Sequence, residues 1–127
     1  MKLKRGFRQL IDEAQAEVTT ISVAEARALL GRDDVLFVDL RDPRELEREG
    51  KIPGAFHCPR GMLEFWIDPE SPYHKAELMS GKRLLFYCGS GWRSALSAKT
   101  VQDMGVDNVA HLGGGFTAWK KDGGAAG

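Results

Sequence analysis

A cysteine followed at once by a glycine-rich stretch is the part of this sequence best suited to chemistry. The segment LLFYCGSGWRS, residues 84–94, runs from apolar residues to Cys88, and Gly89 and Gly91 follow. Glycine permits the tight backbone that turns several N–H groups towards one point, which makes an anion-binding loop. A helical pattern begins near Ser94, and the first amides of a helix lack intrahelical partners and carry the positive end of its dipole. We therefore expect backbone donors to converge on the sulfur of Cys88.

Such an arrangement would turn the thiol into a nucleophilic thiolate. A free cysteine has a pKa of about 8.5, and lowering it by ~2 units needs roughly 2.7 kcal/mol. A helix N-terminus supplies only ~0.3–1 kcal/mol, at best ~2 kcal/mol. The loop amides and the nearby cation of Arg93 must supply the rest, and no histidine is then needed as a base. A lone cysteine after a strand is more often a small buried hydrophobe, but this electropositive setting favours a nucleophile at Cys88.

The other cysteine and the histidines do not suggest a second site. Cys58 fits a half-buried core position better than a resolving thiol. His57, His74 and His111 lack the spacing of metal ligands, and ordinary surface or capped histidines are the better interpretation. We therefore expect no metal and no cofactor.

Charged residues follow an earlier apolar run. Asp39 and Arg41 leave the end of a predicted central strand at the same sheet edge as the loop, where either would be able to line the site. A structural ion pair or hydrogen bonds that hold the loop are the favoured interpretation. The alternating charges of RDPRELEREGK, residues 41–51, indicate a solvated helix face with i,i+4 pairs.

Two continuous apolar runs predict the strands that position these residues. VLFVDL, residues 35–40, and RLLFYC, residues 83–88, are typical of strands buried on both faces of a parallel sheet. Alternation with helices predicts an α/β fold with a mostly parallel central sheet flanked by helices on both faces. The predicted helices cover 1–15, 23–31, 43–50, two short segments within 62–81, 94–105 and 115–123, and the shorter strands cover 18–22, 55–58 and 108–114.

Length and charge exclude several classes of protein. The chain of 127 residues suits one domain, which we place at 21–121 between a helical N-terminal extension, 1–20, and a flexible tail, 122–127. Lys plus Arg and Asp plus Glu number 18 each, so no broad field favours nucleic acid or anionic lipid. No stretch approaches the ~20 apolar residues that span a bilayer. Two cysteines are too few for a disulfide scaffold. We expect a soluble, cytoplasmic protein that binds neither nucleic acid nor membrane.

Three ordered motifs resemble the rhodanese domain family. VDLRDPRELEREGKIPGAFHCP is similar to the family's first segment, FYCGSGWRSALSA to its active-site loop, and HLGGGFTAW to its closing signature. The resemblance implies a rhodanese-like α/β domain over 21–121 that works as a single-domain sulfurtransferase. In such an enzyme the loop cysteine takes a sulfane sulfur from a small anionic donor such as thiosulfate and holds it as a persulfide. It then passes the sulfur to cyanide, a thiol or a protein acceptor.

Site residues follow from the resemblance by position. Cys88 is the nucleophile and persulfide site. The loop amides of Gly89, Ser90, Gly91, Trp92 and Arg93 cradle the sulfur, and Arg93 and Ser94 hold the anionic donor. Trp92 is bulkier than expected at its position and suits a pocket wall or a partner surface equally well. Phe65 and Trp66, with helical spacing typical of the core, precede the loop and are also placed to wall the pocket.

Two alternatives stay open. Phosphatases and arsenate reductases similar to this fold carry a Cys-x5-Arg loop, whereas Cys88 and Arg93 are separated by four residues. One residue adds at most ~3.3–3.6 Å of chain, comparable to the size difference between a sulfur atom and a tetrahedral oxyanion, so the shorter ring favours sulfur. The other alternative is a persulfide carrier or docking module with little turnover of its own.

Overall fold

Five parallel strands form one sheet at the centre of the protein, in the order β1-β5-β4-β2-β3. The computed structural model describes residues 1–127. Every pairing between neighbouring strands is parallel, so each connection must cross over the sheet. The strands are Thr19–Ile21 (β1), Val35–Asp39 (β2), Phe56–His57 (β3), Arg83–Tyr87 (β4) and Val109–Leu112 (β5).

Helices cover both faces of this sheet. They are Phe7–Glu17 (α1), Val23–Leu29 (α2), Pro43–Glu49 (α3), Leu63–Ile67 (α4), Trp92–Asp103 (α5) and Gly115–Lys121 (α6), with 3₁₀ turns at Arg60–Met62 and Ala76–Met79. One apolar cluster joins a face of the sheet to α4 and α5, and α1 packs on α5. A second cluster joins the opposite face to α2 and α6. The predicted fold class is confirmed.

Successive residues of the central strands β2 and β4 face opposite sides of the sheet, which explains why these strands are continuously apolar. Val38 and Phe86 are register partners in one apolar cluster, whereas Phe37 and Leu85 are partners in the other. Because helices cover both faces, residues of both parities must be apolar. Strands β2, β4 and β5 run in the same direction, so the residues that follow them lie side by side at one edge of the sheet.

Some elements differ from their predicted bounds. Helix α5 begins at Trp92, ahead of the predicted start near Ser94. Gly91 precedes this helix with a φ of 105°, a conformation that favours glycine, so the loop turns into the helix within one residue. Strand β3 is shorter than the predicted 55–58. The segment 62–81 holds two short helical segments, α4 and a 3₁₀ turn, as predicted.

The last residues, 122–127, for which the sequence predicts a flexible tail, make contacts with the body of the protein. The buried indole of Trp119 donates from Nε1 to the carbonyl of Ala125 at 2.7 Å, and the amide of Gly127 donates to the carbonyl of Lys51 at 2.9 Å. A Cβ at position 124 would approach the Trp119 ring to 2.4 Å, so only Gly124 fits there. A buried indole N–H needs an acceptor, and the chain end supplies it. The predicted boundary at residue 20 falls inside β1.

A buried ion pair follows the central strand β2. Arg41 donates from Nε and Nη2 to the two carboxylate oxygens of Asp39 at 3.0 and 2.8 Å, and Nη2 also reaches the carbonyl of Gly50 at 2.8 Å. Both side chains have no exposed area. The guanidinium centre lies 4.3 Å from the ring centroid of Phe116 in α6. The favoured structural role of this pair is confirmed, and it ties β2 to the segment that follows β5.

Replacing Arg41 with leucine tests that role. The Arg41→Leu variant is expected to lose about 3–5 kcal/mol of unfolding free energy, because the carboxylate of Asp39 stays buried without its counterion. Urea denaturation followed by tryptophan fluorescence measures the loss. Arg44→Leu is the matched control, since Arg44 pairs with Asp42 at the surface, and little change is expected there. Equal losses in the two variants would contradict the structural assignment.

Candidate active site

The sulfur of Cys88 lies inside the loop that leaves β4. It accepts hydrogen bonds from the backbone amides of Gly91, at 3.2 Å, and Ser94, at 3.4 Å. The Ser94 hydroxyl lies 3.7 Å from the same sulfur. Cys88 has no exposed area, and no surface cavity is lined by it. The loop therefore closes directly around the sulfur.

Helix α6 orients the peptide groups of this loop. The amides of Phe116 and Thr117 donate to the carbonyls of Cys88 and Gly89, at 2.8 and 3.1 Å. A trans peptide places its N–H opposite its C=O, and the protein has no cis peptide bonds. The N–H groups of the two residues that follow these carbonyls, Gly89 and Ser90, therefore point away from α6.

Most of the loop amides have no acceptor in the protein. Only the Gly91 and Ser94 amides donate to the sulfur of Cys88. The expected cradle of amides is thus only partly engaged by the sulfur itself. Amides without a protein acceptor belong to Gly89, Ser90, Trp92 and Arg93.

The cation of the loop is held by a carboxylate that sequence analysis assigned to a solvated helix face. Arg93 donates from its Nη1 and Nη2 atoms to Glu45 at 2.7 and 3.0 Å. Oε1 of Glu45 also accepts from the amide of Asp42, which closes the capping box at the start of α3. The expected i,i+4 pairs are absent from this helix. A sequence signal existed: the Asp42-x-x-Glu45 pattern directs the glutamate back to the end of α3 that follows β2.

The contact between Arg93 and Glu45 shifts the pKa of both side chains. The hydrogen bonds from Arg93 outweigh burial, and the pKa of Glu45 is lowered from 4.5 to about 2. The same contact raises the pKa of Arg93. Glu45 is therefore ionised at neutral pH, and the Arg93 fork is already engaged before any anionic donor arrives.

Glu45→Gln tests the contribution of the pair to stability. A carboxylate whose pKa falls from 4.5 to about 2 on folding stabilises the fold fully above pH 4.5 and loses that effect as the pH falls through 2. At pH 7 the variant is expected to be less stable by about 1–2 kcal/mol, because solvent screens a pair whose Arg93 side chain is 40% exposed, and the difference should shrink as the pH falls from 4.5 towards 2. Urea denaturation at a series of pH values measures this.

The neighbouring Glu47→Gln serves as the control on the same helix, because Glu47 is exposed and makes no ion pair or side-chain hydrogen bond. A Glu45→Gln deficit that stays constant between pH 7 and pH 2 would contradict the assignment of the stabilising charge to Glu45.

His111 was expected at the surface or at a cap, and this expectation is wrong. The side chain is 1 % exposed on β5, because β5 lies between β1 and β4 under helices. Its Nδ1 lies 2.9 Å from the Ser94 hydroxyl and its Nε2 lies 2.9 Å from the Thr20 hydroxyl. Burial lowers its pKa to about 4, so the ring is neutral at physiological pH. The partly buried His57 and His74 contact backbone carbonyls instead.

Trp92 and Ser90 lie on the outside of the loop. Ser90 is exposed, and Trp92 is 46 % exposed. The indole of Trp92 lies 5.0 Å, centroid to centroid, from the ring of Phe7 in α1, and the Arg8 guanidinium centre lies 5.7 Å from the indole. Helix α1 thus reaches the active-site loop, although the sequence pattern placed it in a separate extension.

Cys58 lies apart from the loop in the apolar core. It is fully buried beside Val38 and Leu40, and burial raises its pKa to about 12. Its predicted core position is confirmed and is deeper than expected. Trp66 packs its ring edge-on against Phe56, at 6.2 Å between centroids, while Phe65 is 53 % exposed. No group of three or more His, Cys, Asp or Glu residues is arranged to hold a metal ion.

A parallel α/β sheet that presents a cysteine loop at the carboxyl end of a central strand defines the class of this protein. A family model, Rhodanese-like domain, matches residues 22–122. The chain therefore belongs to the rhodanese-like domain family, as the motifs predict. No helix has both the length and the apolar character needed to cross a membrane.

Several relatives are described as sulfurtransferases. The chain is 31% identical over 98 residues to a sulfurtransferase of Allochromatium vinosum, covering 77% of this chain and 83% of the relative. It is 27% identical over 122 residues to the mouse thiosulfate sulfurtransferase/rhodanese-like domain-containing protein 3, covering 90% and 78% of the two chains. These similarities place it in the sulfurtransferase family.

One solved structure carries a different description. A protein of unknown function from Rhodopseudomonas palustris, described as a possible tyrosine phosphatase, is 53% identical and superposes with a TM-score of 0.97. The match covers 100% of this chain and 98% of that one. The nearly identical fold makes the choice between sulfur and phosphate chemistry a question about the loop.

Proposed function

We propose that the protein transfers a sulfane sulfur from a small anionic donor such as thiosulfate to a thiophilic acceptor, cyanide or a thiol, through a persulfide on Cys88. The observation that carries this proposal is the loop itself, in which two backbone amides donate to the Cys88 sulfur. Thiolates are stabilised by such charge-assisted hydrogen bonds.

The transfer takes place in two displacements. The Cys88 thiolate attacks the outer sulfur of thiosulfate, a new S–S bond forms, and the S–S bond of the donor breaks so that sulfite leaves with the electron pair. The acceptor then attacks the outer sulfur of the persulfide, and Cys88 leaves as a thiolate. No net proton or external oxidant is required. Covalent catalysis of this kind gives ping-pong kinetics.

The loop residues take separate roles in this scheme. The amides of Gly91 and Ser94 stabilise the thiolate, and the four amides without protein acceptors receive the transferred sulfur and the donor oxygens. Arg93 retains donors beyond the two that Glu45 engages, and these attract the anionic donor. Because Cys88 is buried, the loop must part slightly to admit the donor's terminal sulfur, and the glycines at 89 and 91 permit this movement.

Phosphatase chemistry is the second candidate, since the Rhodopseudomonas relative is described in those terms. Phosphate monoesters need a cradle for a tetrahedral dianion and an arginine that embraces two of its oxygens. In this protein the ring closes on the sulfur alone, which favours sulfur over phosphate. The pairing of Arg93 with Glu45 does not separate the two chemistries, because thiosulfate is a dianion as well.

Intact-protein mass spectrometry after incubation with thiosulfate tests the proposal. The wild-type protein is expected to gain one sulfur atom that cyanide or a reductant removes. Cys88→Ser is expected to gain none, because it lacks the acceptor thiol. Cys58→Ala is the matched control and is expected to load like the wild type, since Cys58 lies in the apolar core away from the loop amides and burial raises its pKa to about 12. Loading that follows Cys58, or no loading at all, would overturn the assignment.

Turnover assays separate the remaining possibilities. Steady production of thiocyanate from thiosulfate and cyanide, lost in Cys88→Ser, is expected of a sulfurtransferase. Loading without steady turnover would identify a persulfide carrier instead. Hydrolysis of an aryl phosphate by the wild type, lost in Cys88→Ser, would identify a phosphatase and contradict the proposal.

A further inference from the structure

A chain of three polar side chains leads from the Cys88 sulfur into the sheet. The Ser94 hydroxyl lies 3.7 Å from the sulfur, the Nδ1 atom of His111 lies 2.9 Å from that hydroxyl, and the Thr20 hydroxyl lies 2.9 Å from Nε2. Ser94 and His111 are 0 % and 1 % exposed. Polar side chains buried this deeply beside an apolar core are costly unless each one is hydrogen bonded.

The number of available protons limits how the hydrogen bonds between Cys88, Ser94, His111 and Thr20 can be arranged. The Ser94 hydroxyl has one proton but three neighbouring acceptors: the Cys88 sulfur, the Gly91 carbonyl at 3.2 Å and the Nδ1 atom of His111. Neutral imidazole carries one proton, on either Nδ1 or Nε2. When His111 is protonated on Nδ1, it donates to Ser94, and the hydroxyl proton of Ser94 is left to the Gly91 carbonyl and the sulfur, of which a thiolate is the charged acceptor. When it is protonated on Nε2, Nδ1 competes for that hydroxyl proton.

The two arrangements suit different states of the sulfur. A thiolate accepts a charge-assisted hydrogen bond from Ser94, roughly twice as strong as a neutral one, and a donor behind Ser94 strengthens that bond further by polarisation. A thiol offers only a weak S–H donor in return. The chain therefore stabilises the thiolate more than the thiol.

We propose that His111 is a positioning residue for Cys88: held between Thr20 and Ser94, it donates from Nδ1 to Ser94 and so directs the Ser94 hydroxyl proton onto the thiolate. The inference rests on the proposed role of Cys88 as a nucleophile. Thr20 lies ahead of residues 22–122, which match the family model. One of the three hydrogen-bonded side chains therefore lies outside the matched region. Arg93 and Glu45 beside the loop, and Arg8 against Trp92, are the charged groups nearby, and none of them forms a hydrogen bond with His111.

The pH midpoint of Cys88 alkylation by iodoacetamide tests this assignment, because it reports the fraction of thiolate rather than the fold. Cys58→Ala serves as the background so that only one thiol reacts. Ser94→Ala is expected to raise the midpoint by about one pH unit, the size of a hydrogen bond to a charged group. His111→Leu is expected to raise it by a smaller amount, about half a unit.

Two further variants separate positioning from mere packing. His111→Asn places an amide where Nδ1 lies and is expected to restore a midpoint near the parent value. His111→Gln places its amide nearer to Thr20 than to Ser94 and is expected to behave like His111→Leu, and it remains informative if the leucine variant does not fold. In a Ser94→Ala background, His111→Leu is expected to cause no additional rise.

An unchanged midpoint in both His111→Leu and His111→Gln would overturn the proposal. An undiminished rise in the Ser94→Ala background would overturn it too, because His111 would then act without Ser94. The alkylation experiment involves no sulfur donor. Its failure is therefore distinguishable from failure of the proposed sulfur transfer, which the mass-spectrometric loading of Cys88 reports separately.

Discussion

The orientation of two peptide groups, those that follow Cys88 and Gly89, is the constraint on which the active site depends. Their carbonyls are bound by the first amides of α6, so their N–H groups must point the other way. The start of α6 lies so close to the loop that a Cβ on Gly115 would be 2.6 Å from both carbonyl oxygens. The glycine-rich segment after β5 therefore helps to build the loop after β4, although the two are distant in sequence. The Arg41 side chain, which is paired with Asp39, stacks on Phe116 of α6 and helps to hold this helix beside the loop.

The cation of Arg93 in the loop is paired with a carboxylate, which changes the proposed account of how a thiolate is stabilised. The sequence alone predicts that the cation of Arg93 supplies part of the stabilisation. In the structure that cation faces an ionised carboxylate at 2.7 Å, and the buried histidine is neutral. A paired cation exerts a weaker field on a third group than a free one. In the proposed mechanism, the backbone amides of Gly91 and Ser94 and the Ser94 hydroxyl are therefore the dipoles closest to a Cys88 thiolate, and they act alongside the paired cation of Arg93.

Local patterns predicted the strands, the helices and the position of Cys88 in the loop after a strand, because apolar runs and glycine-rich turns are short-range signals. Glu45 and His111 were assigned wrongly for a different reason. The partner of Glu45 lies on α5, and the burial of His111 depends on β1 completing the sheet beside β5. Neither contact has a signature within one segment. The contact of the chain end with Trp119 likewise has no signature within one segment, since it depends on the buried indole needing an acceptor.

The closed loop itself bears on the choice between sulfur and phosphate. A donor that delivers sulfur needs to place only one terminal atom beside Cys88, whereas a phosphoryl group must bring a phosphorus atom with three oxygens to the same distance. In a ring whose Gly91 and Ser94 amides already touch the sulfur at 3.2 and 3.4 Å, admitting one atom requires a small opening. Admitting a tetrahedral group needs a wider opening, and the hydrogen bonds from α6 to the loop carbonyls oppose it. The fold thus resists the larger opening with the same hydrogen bonds that orient its amides.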